Sequence, residues 1–194
     1  MKSLVRDARF LAAFILLFAG SMGATRAADL SQAVMLVASD SLAGSSFEQT
    51  VIVATPRPQG GHAGFIVNRP TGVKLETLFP EQASTHKVVD SVYAGGPAMP
   101  RAVFALTRKA PDKSAEVLPL MPGLVAVIDA ETVDRIIETR PNDARYFVGL
   151  MVWGPDELEA QVDAGAWEVR PADVDSVLPA NATGLWKSLS GTPV

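Results

Sequence analysis

The sequence contains no cysteine, and this absence excludes several classes of chemistry. No disulfide bond can form, no thiolate can act as a nucleophile, and no lipid can be attached at an N-terminal cysteine. Histidine is scarce as well, with only His62 and His86 in the chain. Neither has a second metal-ligating residue at a spacing such as HExxH, so no metal site is predicted. His62 lies in a glycine-rich turn and is expected to face solvent.

Basic clusters and common catalytic motifs are missing too. The formal net charge is −4. An acidic chain without runs of Lys and Arg cannot neutralise a phosphate backbone, so nucleic acid is not an expected partner. No serine lies in a GxSxG sequence, which leaves a hydrolase elbow unsupported. The sequence therefore predicts no catalytic residue and no cofactor, and it favours a protein that is not an enzyme.

The first 27 residues have the layout of a secretory signal peptide. Three basic residues precede the ten-residue apolar run FLAAFILLFA, and small residues follow it. Thr25 and Ala27 suit the positions before a cut, so we predict cleavage after Ala27 and a periplasmic or secreted chain. An uncleaved N-terminal anchor is the alternative, although the run is only half of the roughly 20 residues that cross a bilayer. No later stretch is typical of a membrane span.

Residues 28–194 are predicted to form a single domain. These 167 residues are enough to bury a substantial core. Residues 1–27 contain four of the 17 basic residues and one of the 21 acidic ones. The mature chain therefore has 13 basic and 20 acidic residues, and its formal net charge is −7.

A long apolar run near the C-terminal end organises the predicted fold. The sequence from Arg145 to Trp153, RYFVGLMVW, is typical of a strand buried on both faces. Gly154 and Pro155 end this strand, and Pro155 suits the first position of a helix because its missing N–H group costs nothing there.

The short helix that follows has one apolar face. Leu158 and Val162 lie four residues apart and therefore share that face. Gly165 can adopt the left-handed conformation that ends a helix. Trp167 follows at once and is expected to pack near Trp153.

Eight or nine short apolar segments and three or four short helices do not alternate as βα units. Residues 49–55 and 63–68 predict a hairpin, which residues 69–72 interrupt. Asp129 is expected to cap a helix that begins at Ala130. The pattern predicts an α+β fold, with a bent mixed or antiparallel sheet and short helices at its margins. A doubly wound sheet is disfavoured because most connections are too short for crossovers.

Three segments carry a resemblance to a known family: AGFIVNRPTGVKLETLF at 63–79, YAGGPAMPRAVFALTR at 93–108 and YFVGLMVWGPDELEAQVDAGAWEVRPAD at 146–173. In order and spacing they resemble the YqgE/AlgH family of bacterial proteins, over about residues 36–189. The resemblance implies an α+β fold whose sheet forms a partial barrel. It implies no established enzymatic activity. One branch is named for an effect on the expression of exopolysaccharide genes.

The sequence departs from that family in two respects. Family members usually lack a signal peptide and are taken to be cytoplasmic, so a cytoplasmic location is a further alternative. Where the family often has His-Asn in the hairpin turn, this chain has Arg57-Pro58-Gln59, and where it often has Leu-His, this chain has Leu106-Thr107.

Asn68 and Arg69 are the strongest polar candidates for a ligand site. Arg69 offers a planar guanidinium that could hold a carboxylate or a phosphate. The structural alternative is that the Asn68 amide bridges two backbone segments and that Arg69 pairs with an internal acid such as Glu76.

Gly95 and Gly96, which precede Pro97, are the backbone candidates. Their N–H groups could form an anion-binding nest, or the glycines could let two strands cross closely. Two hypotheses follow. The first is a non-enzymatic binding or regulatory protein of the cell envelope, whose partner is an unknown protein or small ligand. The second is an anion- or nucleotide-binding protein or enzyme with its site at these two glycines, Asn68 and Arg69.

Overall fold

The computed structural model describes residues 29–108, 115–180 and 182–190. The predicted signal peptide, residues 1–27, lies outside the described residues. These described residues form ten strands: β1 Val34–Ala38, β2 Val51–Pro56, β3 His62–Ile66, β4 Pro70–Lys74, β5 Ser91–Ala94, β6 Ala98–Thr107, β7 Val117–Met121, β8 Leu124–Val127, β9 Ala144–Trp153 and β10 Trp167–Pro171. Five helices are α1 Leu75–Leu78, α2 Ala130–Thr139, α3 Glu157–Asp163, α4 Val174–Val177 and α5 Leu185–Ser190. Three short 3₁₀ turns complete the elements at Asp40–Leu42, Ala83–Lys87 and Pro141–Asp143.

The strands form one curled sheet in the order β10-β1-β2-β3-β9-β6-β8-β7, and β4 and β5 branch from it at β9. All pairings along the main path are antiparallel, whereas β5 lies parallel to β9. The sheet curls far enough for the Thr55 hydroxyl on β2 to donate to the Pro119 carbonyl on β7, at 3.4 Å. The predicted α+β class, with a bent sheet forming a partial barrel, is confirmed.

Strand β9 is the element on which the two halves of the sheet meet. Its last residues pair with β3, and its earlier residues pair with β6 and β5. Gly149 lies between Val148 and Leu150, which both pair with β6. Its φ is +70°, and an added Cβ would lie 2.2 Å from the Gly96 carbonyl oxygen. The apolar run from Arg145 to Trp153 is therefore confirmed as a largely buried strand, with a glycine where the backbone of Gly96 approaches it closely.

Three apolar clusters fill the fold. The first lies inside the curl and includes Phe65, which contacts Phe104 and Phe147 edge-to-face at centroid distances of 5.7 and 5.5 Å. The second contains Trp153 and Trp167, as predicted. The third packs α2 against the outer face of the sheet through its buried Val133, Ile136 and Ile137.

Two local predictions require correction. The sequence predicts that residues 69–72 interrupt the strands, because Pro70 and Gly72 disfavour a strand interior. The residues nevertheless form a strand that pairs with β5 in an irregular register. Pro155 is not at the first helical position either, since α3 begins at Glu157 after Asp156 in a left-handed conformation with a φ of +61°.

A side-chain contact explains this displaced helix start. The Glu157 carboxylate accepts a hydrogen bond from the Gly154 N–H at 2.8 Å. This contact closes a turn over residues 154–157 before the helix begins. The rest of the prediction for this segment is confirmed. Leu158 and Val162 pack in the same cluster, and Gly165 follows the helix with a φ of +73°.

Candidate functional site

Asn68 serves as a bridge between backbone segments. Its side-chain oxygen accepts a hydrogen bond from the Val51 N–H, and its amide donates to the Gln49 carbonyl, both at 2.8 Å. Gln49 has a φ of +54°, a conformation that costs energy for a residue with a side chain. The Asn68 contacts hold this loop against the sheet, so the structural interpretation of Asn68 is confirmed.

Arg69 holds the same loop, but not through the acid that the sequence suggested. The guanidinium donates to the Thr50 hydroxyl at 2.6 Å and to the Glu48 carbonyl at 3.1 Å. Glu76 instead contacts His86, so the predicted Arg69–Glu76 pair is wrong. Burial lowers the pKa of Arg69 from its usual value.

Gly95 and Gly96 lie against the backbone of β9. The Gly95 N–H donates to the Val148 carbonyl at 2.8 Å, and an added Cβ would lie 2.3 Å from the Gly149 carbonyl oxygen. At Gly96 the added Cβ would lie 2.3 Å from the carbonyl carbon of Leu150. The two glycines therefore allow a close crossing of strands, which confirms the structural alternative for this pair.

The four candidate residues lie in neighbouring parts of one corner. The Arg69 carbonyl accepts the Ala94 N–H at 3.0 Å, which places Arg69 beside the strand that leads into Gly95. The Gly95 carbonyl in turn accepts the Ile66 N–H at 2.9 Å.

His62 is buried, and the prediction that it faces solvent is wrong. Only 4% of its surface is exposed, and its Nε2 lies 2.9 Å from the Leu30 carbonyl oxygen. Because a carbonyl can only accept, Nε2 is the donor. Its Nδ1 is 3.9 Å from the Glu159 carboxylate. The histidine thus ties the first described residues to the hairpin, through a partner 32 positions away that the turn composition could not reveal.

The structure contains a pocket that the sequence analysis did not single out. It has a volume of about 320 Å³ and opens beside the first residues of β9. Four charged residues line it: Asp90, Arg108, Asp143 and Arg145. The other lining residues are Leu106, Asn142, Ala144 and Leu178. We call it the Arg145 pocket.

Arg145 is the most deeply buried of these charges, with 12% of its side chain exposed. Its guanidinium lies 4.9 Å from the centre of the Tyr93 ring, a cation–π arrangement. Its Nη2 donates to the Pro179 carbonyl at 3.0 Å, and its Nε lies 3.5 Å from the Asp90 carboxylate. Its Nη1 is buried without a hydrogen-bond partner in the described structure. That nitrogen is enclosed by the protein, while the rest of the guanidinium is held by Asp90, Pro179 and Tyr93.

Contacts between residues far apart in sequence hold the remaining walls of the pocket. Arg108 pairs with Asp175 on α4 at 2.7 Å. Asn142 accepts from the Val89 N–H at 3.1 Å and donates to the Lys87 carbonyl at 2.8 Å. The pocket therefore lies where the end of β6 and the start of β9 meet the loop before β5 and the segment after α4.

One sequence signal could have pointed to this pocket. Arg145 begins an otherwise apolar strand, and a charge at the start of a buried strand requires a specific partner. Its partners Asp90 and Pro179 lie 55 and 34 positions away in sequence, so the pocket itself could not be predicted. Among the described residues, no three His, Asp or Glu side chains lie close enough together to hold a metal ion.

The sheet topology defines the chain as a curled α+β half-barrel in which β9 pairs with β3, β5 and β6. The same fold occurs in the solution structure of AlgH from Pseudomonas aeruginosa, with a TM-score of 0.69 and 22% identity. That match covers 87% of this chain and 93% of the other. A crystal structure from Corynebacterium diphtheriae gives a TM-score of 0.66 at 23% identity, over 88% and 92% of the two chains.

The chain belongs to the AlgH-like family, whose model matches residues 35–192. Two curated relatives are UPF0301 proteins. The one from Streptomyces coelicolor is 28% identical over 162 residues, covering 80% of this chain and 82% of the relative. The one from Thermobifida fusca is 30% identical over 163 residues, covering 78% and 81%. The family membership expected from the sequence is confirmed.

Proposed function

We propose that this chain is a non-enzymatic binding protein that works in the cell envelope after export. The observation that supports the binding role is the Arg145 pocket, a space of about 320 Å³ lined by two arginines and two aspartates. A pocket of this volume is also within the range of small-molecule sites.

Stabilisation by a small-molecule extract tests the binding role. A low-mass fraction of the cell envelope should raise the Tm of the protein, because a ligand that binds only the folded state stabilises it by mass action. The same fraction should have less effect on Arg145→Lys, which keeps the charge but loses the planar fork. An exposed arginine outside the pocket supplies the matched control, Arg101→Lys. An equal shift in all three proteins would contradict the proposal.

Export is supported by the layout of residues 1–27. Cleavage after Ala27 would retain Leu30, which is 8% exposed and whose carbonyl contacts His62. The proposed mature domain, residues 28–194, would therefore keep its first buried residue. In the part of the chain that the structure describes, no helix has the length and apolar character needed to cross a membrane. Release of the protein by osmotic shock tests a periplasmic location, and retention with cytoplasmic markers would contradict it.

A second candidate function is anion binding at the corner formed by Asn68, Arg69, Gly95 and Gly96. It is favoured by the contacts of Arg69, because the carbonyl and hydroxyl that it contacts carry no charge to neutralise the guanidinium. Thermal shift with phosphate or a nucleotide tests it. The candidate requires stabilisation of the wild-type protein that Arg69→Ala loses, and equal shifts in the two proteins would rule it out.

A further inference from the structure

We propose that two copies of this chain associate through the free edge of strand β10. This strand, Trp167–Pro171, begins the main path of the sheet, and within the described residues it pairs only with β1. Its other edge therefore presents backbone groups that no strand of the described chain uses. Such an edge is a template for the addition of another strand. The proposal concerns self-association and does not depend on the Arg145 pocket.

The other two outer strands of the sheet offer less suitable edges. Strand β7 has Pro119 in its middle, and the Pro119 carbonyl already accepts from the Thr55 hydroxyl of β2. Strand β4 begins with Pro70, and its Val73 N–H donates to the Thr71 hydroxyl at 3.1 Å instead of to a neighbouring strand. A proline or an irregular edge hinders the pairing of a further strand. Strand β10, in contrast, is regular against β1 along its whole length.

The ladder between β1 and β10 determines which groups of β10 point outward. The Ser39 N–H donates to the Ala166 carbonyl at 3.1 Å, and this pair continues the β1–β10 register beyond Ala38. Hydrogen-bonded and non-hydrogen-bonded pairs alternate along an antiparallel ladder. Glu168 and Arg170 occupy the alternate positions after Ala166, so they also direct their backbone groups towards β1.

The intervening residues of β10 direct their backbone groups towards the free edge. These groups are the N–H and carbonyl of Trp167 and Val169 and the carbonyl of Pro171, since proline has no N–H. A second copy can use them in an antiparallel pair around a two-fold axis at Val169. Each Val169 N–H then donates to the carbonyl of the partner's Val169, and each Trp167 N–H donates to the carbonyl of the partner's Pro171. Pro171 ends the ladder.

The charges of β10 favour this register and explain why the expected partner is a second copy. Glu168 and Arg170 lie on the same face of the strand, because side chains alternate between faces. Their side chains are 51% and 27% exposed, and they contact each other at 3.1 Å. Around the axis at Val169, each Glu168 lies opposite the partner's Arg170, and opposite charges stabilise a strand pair.

Neighbouring registers are disfavoured for the same reason. The next shift that keeps outward groups opposite one another places Glu168 opposite the partner's Glu168, or Arg170 opposite the partner's Arg170. Like charges that lie directly opposite each other destabilise a strand pair. The sequence of β10 is therefore complementary to itself in the register centred on Val169, as an isologous interface between identical chains requires.

Sedimentation of the protein as recovered from cells, over a concentration series, tests the association. The contact is one short strand pair, so a weak dimer is expected, with a fraction that grows between about 1 µM and 1 mM. Glu168→Arg and Arg170→Glu each place like charges opposite one another. Each variant alone should raise the dimer Kd by at least about tenfold. Arg101→Glu, at an exposed residue outside β10, should leave it unchanged.

Mixing the two charge variants separates the strand pair from any general effect of the substitutions. In an equimolar mixture, each arginine of one variant faces a glutamate of the other, so the mixture should dimerise as tightly as the wild-type protein. Val169→Pro provides a test that does not change charge. It removes an outward N–H but none of the bonds to β1, so the fold should persist while the dimer Kd rises.

Three results would overturn the proposal. They are a wild-type protein that remains monomeric up to about 1 mM, charge variants that dimerise as well as the wild type, and a mixture that dimerises no better than its components. Circular dichroism establishes that each variant is folded before its association is measured. If a charge variant does not fold, an unchanged dimer Kd in Val169→Pro contradicts the proposal by itself.

Discussion

Gln161 shows how a single residue holds α3 against the two strands that flank it. Its side-chain oxygen accepts hydrogen bonds from the indoles of Trp153 and Trp167, at 3.1 and 2.9 Å. Both rings belong to the same apolar cluster, and each indole N–H needs an acceptor when it is buried. One amide on α3 therefore fixes the ends of two strands, β9 and β10, against the helix between them.

Truncation of the Trp153 side chain should lower the stability of the fold. Trp153 is fully buried, at 0% exposure. Trp153→Ala should lower the free energy of unfolding by about 3–5 kcal/mol, as truncation of a large core aromatic does. Urea unfolding of the variant measures this loss, and Trp186→Ala, at a half-buried ring on α5, is a suitable comparison. A loss below about 1 kcal/mol, near the average for any point mutation, would show that Trp153 does not stabilise the end of β9.

The two tyrosines should make stability depend on alkaline pH. Burial raises the pKa of Tyr146 well above its usual value, and the charge of Asp143 raises it further. Burial also raises the pKa of Tyr93, although the charge of Arg145 opposes this. The unfolded chain releases these protons near pH 10 and the folded chain does not. Stability is therefore fully present below about pH 10 and falls as the pH rises above it.

Ultraviolet titration and thermal unfolding test this pH dependence. Tyrosine absorbance of the folded protein should change only above pH 10, while the Tm declines. The fall should be about 1.4 kcal/mol per pH unit for each tyrosine that remains protonated. Tyr146→Phe should remove one share of that slope. Ionisation of both tyrosines near pH 10 with the fold intact would contradict the burial that the structure assigns to them.

Helix α2 shows how local sequence determines an element. The Asp129 carboxylate accepts the Thr132 N–H at 2.8 Å and the Glu116 N–H at 3.1 Å. The first contact caps the helix and the second holds the residue before β7. Burial opposes ionisation of Asp129, but these hydrogen bonds outweigh it and keep the pKa below its usual value. The cap was predictable because an N-cap depends on residues only three positions apart.

Loss of this cap should be measurable in isolation. Asp129→Ala should cost about 0.5–2 kcal/mol of unfolding free energy, whereas Asp129→Asn retains a capping oxygen and should cost less. Urea denaturation of the two variants provides the comparison. Equal losses would mean that the charge of Asp129, and not its hydrogen bonds, stabilises the element.

Two elements differ from the sequence prediction, one because of a distant pairing and one because of a local side-chain contact. Strand β4 contains Pro70 and Gly72, and pairing with β5 overrides their local preference. The first turn of α3 was misplaced because the Glu157 side chain reaches back to the Gly154 N–H. Local pattern therefore predicts the existence of an element better than its exact ends.

On the scale of the whole molecule, the class of fold was predictable and the pocket was not. The buried run of β9, the glycines at its crossings and the short connections all indicate a bent α+β sheet. The Arg145 pocket depends on Asp90, Arg145 and Pro179, which meet only after folding. His62 is a similar case, because its partner Leu30 lies far away in the sequence. Sites assembled from separate segments leave no local pattern.

Both ends of the described chain are held by side-chain contacts that cleavage of the proposed signal peptide would not remove. Leu30 is anchored by His62, and Pro179 is held by Arg145. A cut after Ala27 would remove the basic and apolar leader while leaving both of these contacts in place. We therefore propose that the exported chain, residues 28–194, keeps the AlgH-like fold.

N-terminal sequencing of the protein recovered from fractionated cells tests this central claim most directly. The account predicts a first residue of Ala28 or Asp29 and recovery in the periplasmic or secreted fraction. An N-terminus at Met1 in the cytosolic fraction would contradict export and, with it, a role in the envelope.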